Sequence, residues 1–279
     1  MDPTGSNGRA PFRSTEIEPE ILPPLDRGGE DLPPHATGPM PQSRPRPRWS
    51  YAPATYALVA INCAVFLPML ASPAANEFVL TQGSNWGARE LINGEWWRLL
   101  TAIFVHNGFI HIAGNMWCLW NLGLLGEPLL GSGGMLAAYL LTGVAGNLLS
   151  TGTHPNAPGV GASGAVFGLA GVLIMLLKSP LLPVPREELN RLRRSVIWFA
   201  VLNFIIGGGV WLAHTALQID NMAHLGGFLC GLALGVPLVP KIGARPAQFV
   251  RRQWIAFGGA AFALLLIAFY LFNIYRAPA

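Results

Sequence analysis

The sequence predicts an all-α protein, built as a polytopic bundle of transmembrane helices. Of its 279 residues, 52% are hydrophobic and only 11% are charged, whereas a soluble globular protein carries about 25% charged residues. Beyond Tyr51 the chain divides into seven apolar runs, close to the roughly 20 residues that a helix needs to cross a bilayer. We expect helices because a lipid-exposed backbone must satisfy its own hydrogen bonds. The predicted spans are 53–71, 109–126, 134–150, 162–178, 195–213, 222–240 and 253–273.

The segments outside the spans differ in character. Residues 1–50 contain eleven prolines and no hydrophobic period, so they cannot bury enough apolar area to order themselves and are predicted to form a disordered, Pro-rich cytoplasmic tail. A tight turn, Glu127–Gly134, is expected between the second and third spans. Residues 72–108 form a longer, aromatic-rich connection between the first two spans.

The distribution of Lys and Arg predicts the orientation of the spans. Basic residues collect before the first span, between the fourth and fifth, and between the sixth and seventh. With seven crossings, these clusters share the cytoplasmic side only if the N-terminus is inside and the C-terminus outside. Because the basic residues lie beside apolar runs and form no basic face, no nucleic-acid partner is expected despite the net charge of +4.

Polar groups converge at one depth near the outer face. The second, fourth and sixth spans all enter from that side, and their first residues include His111 and Asn115, Ser163, and His224. At about 1.5 Å per helical residue, these groups lie within roughly 10 Å of the outer boundary. Each alone is explained by helix packing or by a bond to a backbone carbonyl. Their coincidence across three helices favours a functional site.

The chemistry of these residues suggests a nucleophile and its base. A serine hydroxyl is a weak nucleophile until a base takes its proton, and histidine is the usual base at neutral pH. No Asp or Glu within the spans offers a third member, so Ser163 and His224 are predicted to form a dyad. Asp220 is interpreted as a solvated loop residue. Glycines at a spacing of three or four would let the fourth and sixth spans approach closely: Gly164, Gly168 and Gly171, and Gly227, Gly231 and Gly235.

An acyl-transfer site also needs donors directed at the developing oxyanion. The candidates are the Asn115 amide, the His111 imidazole and the Ser163 backbone N–H. No metal or cofactor is expected, because the sequence has neither an H-E-x-x-H motif nor a G-x-x-x-x-G-K-[ST] phosphate loop. His106 and His111 are five residues apart and would not share a helix face well.

These motifs together resemble the rhomboid family of intramembrane serine proteases. The stretch "GASG", from Gly161 to Gly164, resembles the family's G-x-S-G motif, which implies that Ser163 is the nucleophile. The stretch "AHLGG", followed by Gly231, resembles A-H-x-x-G-x-x-x-G, which implies that His224 is the base.

Further stretches extend the resemblance. "HNGFIHIAGN" resembles the H-x-x-x-N element, which gives His111 and Asn115 the oxyanion role, with His106 as a structural or substrate-facing residue upstream. "EWWRLLT" places Trp97 and Arg98 in the Trp-Arg stretch of the first outer loop. Glu127 matches a glutamate that braces the core in the family.

The resemblance implies a six-helix rhomboid-like catalytic core over residues 51–240. Residues 241–279 would then add a basic linker and one C-terminal transmembrane helix. The implied activity is that of an intramembrane serine endopeptidase, which cleaves peptide bonds in or near transmembrane segments of membrane proteins by a Ser-His dyad. Its partners would be these substrates and the lipid bilayer. Because no organelle transit sequence is evident, we expect a bacterial plasma membrane as its location.

Two alternatives are open. The first is a catalytically inactive rhomboid-like protein that binds or chaperones membrane proteins, although such a relative would be expected to lack the serine or the histidine. The second is a transporter. Against it, the seven spans show no evident inverted repeat, and the polar groups stay on the outer side.

Overall fold

The structure, a computed structural model, describes residues 51–182, 184–212, 219–239 and 246–276. The predicted tail 1–50 and residues 241–245 of the predicted basic linker lie outside the described residues, whereas residues 246–252 of that linker belong to the last helix. The elements follow one another as α1 (Pro53–Ala71), α2 (Pro73–Gly83), α3 (Gly87–Asn93), α4 (Arg98–Thr101), a 3₁₀ turn (Ala102–Phe104), α5 (Phe109–Leu130), α6 (Ser132–Thr153), α7 (Ser163–Leu176), α8 (Arg186–Leu212), α9 (Asn221–Leu238) and α10 (Pro246–Arg276).

The predicted helical membrane bundle is confirmed, and within the described residues each predicted apolar run overlaps a helix. Four described helices are long and apolar enough to cross a membrane, namely Pro53–Ala71, Ser132–Thr153, Asn221–Leu238 and Ala247–Tyr275. Ser163–Leu176 is apolar but shorter. Among the described residues, α5 and α8 fall outside that set, so the count of seven crossings stays a prediction.

The connection between the second and third predicted spans differs from the expected turn. Residues 127–130 continue α5, and Gly131 alone separates α5 from α6. Gly131 has φ +74°, a left-handed conformation that favours glycine because it has no Cβ. Glu127 is therefore a helical residue, and one glycine makes the reversal.

Glu127 fastens α5 to the start of α1. Its Oε1 accepts hydrogen bonds from the Ala54 N–H (2.9 Å) and the Ser132 hydroxyl (2.7 Å), and its Oε2 accepts from the Thr55 N–H and hydroxyl (2.7 Å each). The first N–H groups of a helix have no partner within the helix, and a carboxylate at this end also complements the helix dipole. This buried carboxylate thus caps α1 from another helix.

The long connection after α1 is folded, with three short helices and a 3₁₀ turn. Arg98 is fully buried there. It forms an ion pair with Glu95 and donates to the carbonyls of Thr81 (2.8 Å) and Ser84 (3.2 Å). Asn147 of α6 donates from its Nδ2 to the Leu99 carbonyl at 2.8 Å. These bonds join the connection into one unit and fix it against α6.

The centre of the bundle is α7, which is buried along almost its whole length. It packs most extensively against α9, and α9 in turn packs against α6. The contact is backbone to backbone: Gly227 and Gly231 of α9 lie directly over the carbonyls of Gly164 and Gly168, where no Cβ would fit. The two predicted glycine stripes therefore meet.

Candidate active site

Ser163 is the first residue of α7 and is half-buried. The preceding loop is shaped by Gly161, whose φ of +125° disfavours any side chain. The Gly161 N–H donates to the Ala102 carbonyl at 2.9 Å. The next N–H, that of Ala162, donates to Nε2 of His106 at 3.3 Å. Hydrogen bonds to the 3₁₀ turn and to His106 thus hold the loop that precedes Ser163 in place.

His224 lies in the first turn of α9 and is only 7% exposed. Asp220 is the N-cap of this helix: its Oδ1 accepts from the Ala223 N–H at 2.9 Å, and its Oδ2 accepts from the Ser150 hydroxyl of α6. The interpretation of Asp220 as a solvated loop residue is therefore wrong. The first N–H groups of α9 have no partner within the helix, and the Asp220 carboxylate accepts a hydrogen bond from one of them, that of Ala223.

The starts of α7 and α9 are in contact. A Cβ on Gly164 would meet the Ala223 carbonyl oxygen at 3.2 Å, so the residues beside Ser163 and His224 touch. The His224 ring stacks on Phe167, with centroids 4.3 Å apart and an interplanar angle of 14°. Phe167 follows Ser163 by four residues, which puts both on one face of α7. The histidine ring therefore lies on the face of α7 that carries Ser163.

The two residues predicted for the oxyanion lie beside the serine loop. A Cβ on Gly161 would meet Nε2 of His111 at 2.8 Å and Nδ2 of Asn115 at 3.7 Å. Asn115 is 8% exposed and donates from Nδ2 to the His111 carbonyl at 3.1 Å. The side-chain nitrogens of His111 and Asn115, which can donate hydrogen bonds, therefore lie close to the backbone of Gly161, two residues before Ser163.

Two histidines, His106 and His111, pack against each other beside the loop that precedes Ser163. The rings of His106 and His111 meet edge to face, with centroids 5.2 Å apart. His106 is fully buried, and burial lowers its pKa to about 4, with a further contribution from His111. His106 is thus neutral at physiological pH, which lets its Nε2 accept from the Ala162 N–H.

The Nδ1 atom of His224 is buried and has no hydrogen-bond partner within the described part of the chain. A triad would need a carboxylate at this atom. Among the described residues, no carboxylate is hydrogen-bonded to this atom. In the same part of the chain, no group of three or more His, Cys, Asp or Glu residues could hold a metal ion.

The predicted supporting residues separate into two groups. Gly161, Gly164 and His106 belong to the immediate surroundings of Ser163. Trp97 and Arg98 do not: Trp97 is 53% exposed, and Arg98 is buried within the first connection, where it binds Glu95 and backbone carbonyls. The contacts of Arg98 hold that connection together.

Sequence reasoning missed Phe167 and the capping role of Asp220. Phe204 of α8 was missed as well; its ring lies 4.8 Å from that of Phe167 and 6.3 Å from that of His224. The spacing of four between Ser163 and Phe167, and between Asp220 and His224, was the available signal.

Comparison with known proteins identifies the family. The domain described as "Rhomboid domain" matches residues 93–241, just over half of the chain. This range includes Ser163, His224, His106 and His111.

The chain belongs to the rhomboid family.

Curated relatives of this rhomboid protein come from several kingdoms. The chain is 36% identical over 167 residues to "Rhomboid protease GluP" of Bacillus subtilis (strain 168), covering 57% of this chain and 31% of the relative. It is 35% identical over 148 residues to "RHOMBOID-like protein 5" of Arabidopsis thaliana, covering 52% of this chain and 45% of the relative. It is 31% identical over 205 residues to "Rhomboid-like protease 1" of Toxoplasma gondii, covering 72% and 64%. The chain thus spans less than two thirds of the length of each of these relatives.

Proposed function

We propose that this rhomboid protein is an intramembrane serine endopeptidase that cleaves peptide bonds in or near transmembrane segments of other membrane proteins. The observation that carries the proposal is the stacking of His224 on Phe167, one helical turn from Ser163, where α7 and α9 touch through glycine. The family membership and the protease names of two of the relatives above support the same activity.

The proposed reaction uses Ser163 as nucleophile and His224 as base. The imidazole takes the hydroxyl proton as Oγ attacks the peptide carbonyl, and it gives that proton to the leaving amine. Water, activated by the same imidazole, then hydrolyses the acyl-enzyme and regenerates the serine. In a dyad, Nδ1 of His224, which has no hydrogen-bond partner among the described residues, keeps its proton throughout.

Three donors are proposed to stabilise the oxyanion. The Ser163 backbone N–H lies at the start of α7, where N–H groups are free of helical partners and the dipole favours negative charge. Nε2 of His111 and Nδ2 of Asn115, close over Gly161, would complete the set. Removing one such donor typically lowers kcat by about 10²- to 10³-fold.

The length of α7 supports a site below the membrane surface. Its 14 residues give a helix of about 21 Å at about 1.5 Å per residue. The hydrocarbon core of a bilayer is about 30 Å thick. If the far end of α7 lies at the cytoplasmic boundary, Ser163 lies roughly 9 Å beneath the opposite one, where a shallow polar cavity could supply water.

The proposed substrates are single-span membrane proteins whose helices unwind near the outer face. The backbone around Ser163 is crowded by His111 and Asn115, which favours small residues at the cleaved bond. The proposed location is a bacterial plasma membrane, with the N-terminus cytoplasmic and the C-terminus outside.

The test reconstitutes the full chain in liposomes with a panel of single-span substrates and compares the wild type with Ser163→Ala and His224→Ala. Ser179→Ala and His154→Ala are the matched controls, because Ser179 follows the far end of α7 and His154 is exposed beyond α6. We expect both dyad variants to lose at least about 10³-fold in cleavage rate and both controls to keep it. Cleavage by Ser163→Ala would refute the proposed nucleophile. A wild type that retains substrates without cleaving them would favour the inactive, binding alternative.

A further inference from the structure

An apolar groove runs along the side of the bundle between α6, α9 and α10, away from the candidate active site. Its volume is about 730 Å³. Among the described residues that line it, Thr153 carries the one hydroxyl group. Leu229 of α9 and Ile267 of α10, which also line it, are 52% and 47% exposed, so the groove opens sideways. In a membrane-spanning bundle, that side faces hydrocarbon.

The helix α10 forms one wall of the groove, and its ends are fixed. At one end Gln253 donates from Nε2 to the Leu130 carbonyl at 2.7 Å. At the other, Leu271 lies 3.4 Å from the position of a Cβ on Gly152. Between these contacts the wall carries small residues, including Ala256, Ala260 and Ala263. The small side chains keep the groove open.

The length of the groove suits an acyl chain. Along α10 the lining runs from Ala256 to Leu271, which is about 22 Å of helix. Along α9 it runs from Gly226 to Pro237, about 16 Å. One leaflet contributes about 15 Å to the hydrocarbon core, so an extended lipid chain crossing one leaflet fits the groove.

The positive charge of Arg252 at one end of the groove favours an anionic headgroup. Arg252 lies on α10 four residues before Ala256, on the helix face that lines the groove, whereas Arg251 lies on the opposite face. Arg251 is exposed, while Arg252 is half-buried and donates to the Val239 carbonyl at 3.0 Å. The Nε of Arg252 is buried without a hydrogen-bond partner in the described residues. From Asn221 to the C-terminus the sequence contains no Asp or Glu, so no acidic side chain of this segment competes for these guanidinium groups.

We propose that this groove binds an anionic phospholipid, with an acyl chain between α6, α9 and α10 and the phosphate at Arg252. Guanidinium groups form strong, charge-assisted hydrogen bonds with phosphate oxygens, and basic pockets between transmembrane helices suit anionic headgroups. The inference is independent of the proposed proteolysis, because α9 carries His224 on the side that faces α7, whereas the lipid contacts α9 on another side.

The experiment measures phospholipid retained by the full chain in detergent, using native mass spectrometry with phosphatidylglycerol and phosphatidylcholine of identical acyl chains. We expect the wild type to retain one phosphatidylglycerol and at least fivefold less phosphatidylcholine. Ala260→Phe fills the groove and should lower retention at least fivefold. Gly259→Phe is its control, because a Cβ at Gly259 meets open space.

The headgroup is tested separately. Arg252→Gln removes the charge at the end of the groove and should lower phosphatidylglycerol retention severalfold, whereas Arg251→Gln removes the same charge from the opposite face of α10 and should have no effect. The preference of the wild type for phosphatidylglycerol decides the question even if Ala260→Phe or Arg252→Gln fails to fold. Equal retention of the two lipids by the wild type, or unchanged retention in Arg252→Gln, would overturn the proposal. So would a dimer that Ala260→Phe dissociates without any dependence on lipid, since a second copy would then occupy the groove.

Discussion

Replacing Gly171 by alanine should separate α7 from α9 and thereby reduce catalysis. A Cβ at Gly171 would lie 2.6 Å from the Phe228 carbonyl oxygen and 2.8 Å from the Leu232 nitrogen. The shorter distance is 0.8 Å below the 3.4 Å at which ordinary van der Waals contact begins. Both opposing atoms belong to the backbone of α9, so no rotamer change relieves the contact. The helices must therefore move apart by several tenths of an ångström.

This displacement should affect both stability and activity. Overpacking of this kind costs about 1–3 kcal/mol in free energy of unfolding. A misplacement of about 1 Å between reacting groups can cost about 10²-fold in rate, so we expect Gly171→Ala to lose at least about tenfold in kcat. The assays are cleavage of a reconstituted single-span substrate and unfolding by titration with sodium dodecyl sulfate.

Two matched glycines serve as controls for this prediction. A Cβ on Gly126 of α5 would meet Leu173 at 3.6 Å, an ordinary contact, and a Cβ on Gly258 of α10 would meet open space. Alanine at either position should leave kcat within about threefold of the wild type, with the stability raised by up to about 1 kcal/mol at Gly258 through helix propensity. If Gly171→Ala retained full activity and stability, the argument that the glycine contact sets the distance between α7 and α9 would be refuted.

Three further predictions concern the polar groups around the core. Glu127→Ala leaves the first N–H groups of α1 without their carboxylate, and we expect a loss of at least about 3 kcal/mol in sodium dodecyl sulfate unfolding; a loss below about 1 kcal/mol would contradict the capping role. Asp220→Ala removes the bonds to Ala223 and Ser150 and should cost about 1–3 kcal/mol in the same assay, whereas Asp220→Asn keeps an acceptor and should cost less. Burial lowers the pKa of His106 from 6.5 to about 4 in the folded protein. As the pH falls, the unfolded chain therefore binds a proton at His106 before the folded protein does. The contribution of neutral His106 to stability is complete above about pH 6.5 and is lost as the pH falls towards 4. His106→Gln should therefore make the unfolding free energy depend less steeply on pH over this interval, and an unchanged pH profile would argue against a buried neutral histidine.

The helical bundle followed from composition and run length, but several details required tertiary contacts. The hydrophobic periodicity does not reveal that residues 127–130 stay helical, because their carboxylate and proline suggest a turn. They remain helical since Glu127 finds its partners on α1. The connection from residue 72 to 108 reads as a loop, yet it folds around the buried Arg98, whose partners are backbone carbonyls that no sequence pattern identifies.

The sequence predicted which helices meet beside the candidate site. Polar side chains at the starts of three spans, together with glycine at a spacing of four, indicated which helices would meet. The aromatic support of His224 by Phe167 and the capping by Asp220 depend on rotation of α9 about its axis, which sequence spacing alone does not fix. From the sequence alone, Phe167 is predicted to be an ordinary core residue, because it lies within an apolar span.

The most direct test of the central claim is to react the full chain with a fluorophosphonate and to locate the adduct by peptide mass spectrometry. A serine activated by an adjacent histidine should carry one phosphonyl group at Ser163, and His224→Ala should slow its formation at least about 10²-fold. An adduct on any other residue, or an adduct at Ser163 that forms equally fast in His224→Ala, would contradict the dyad.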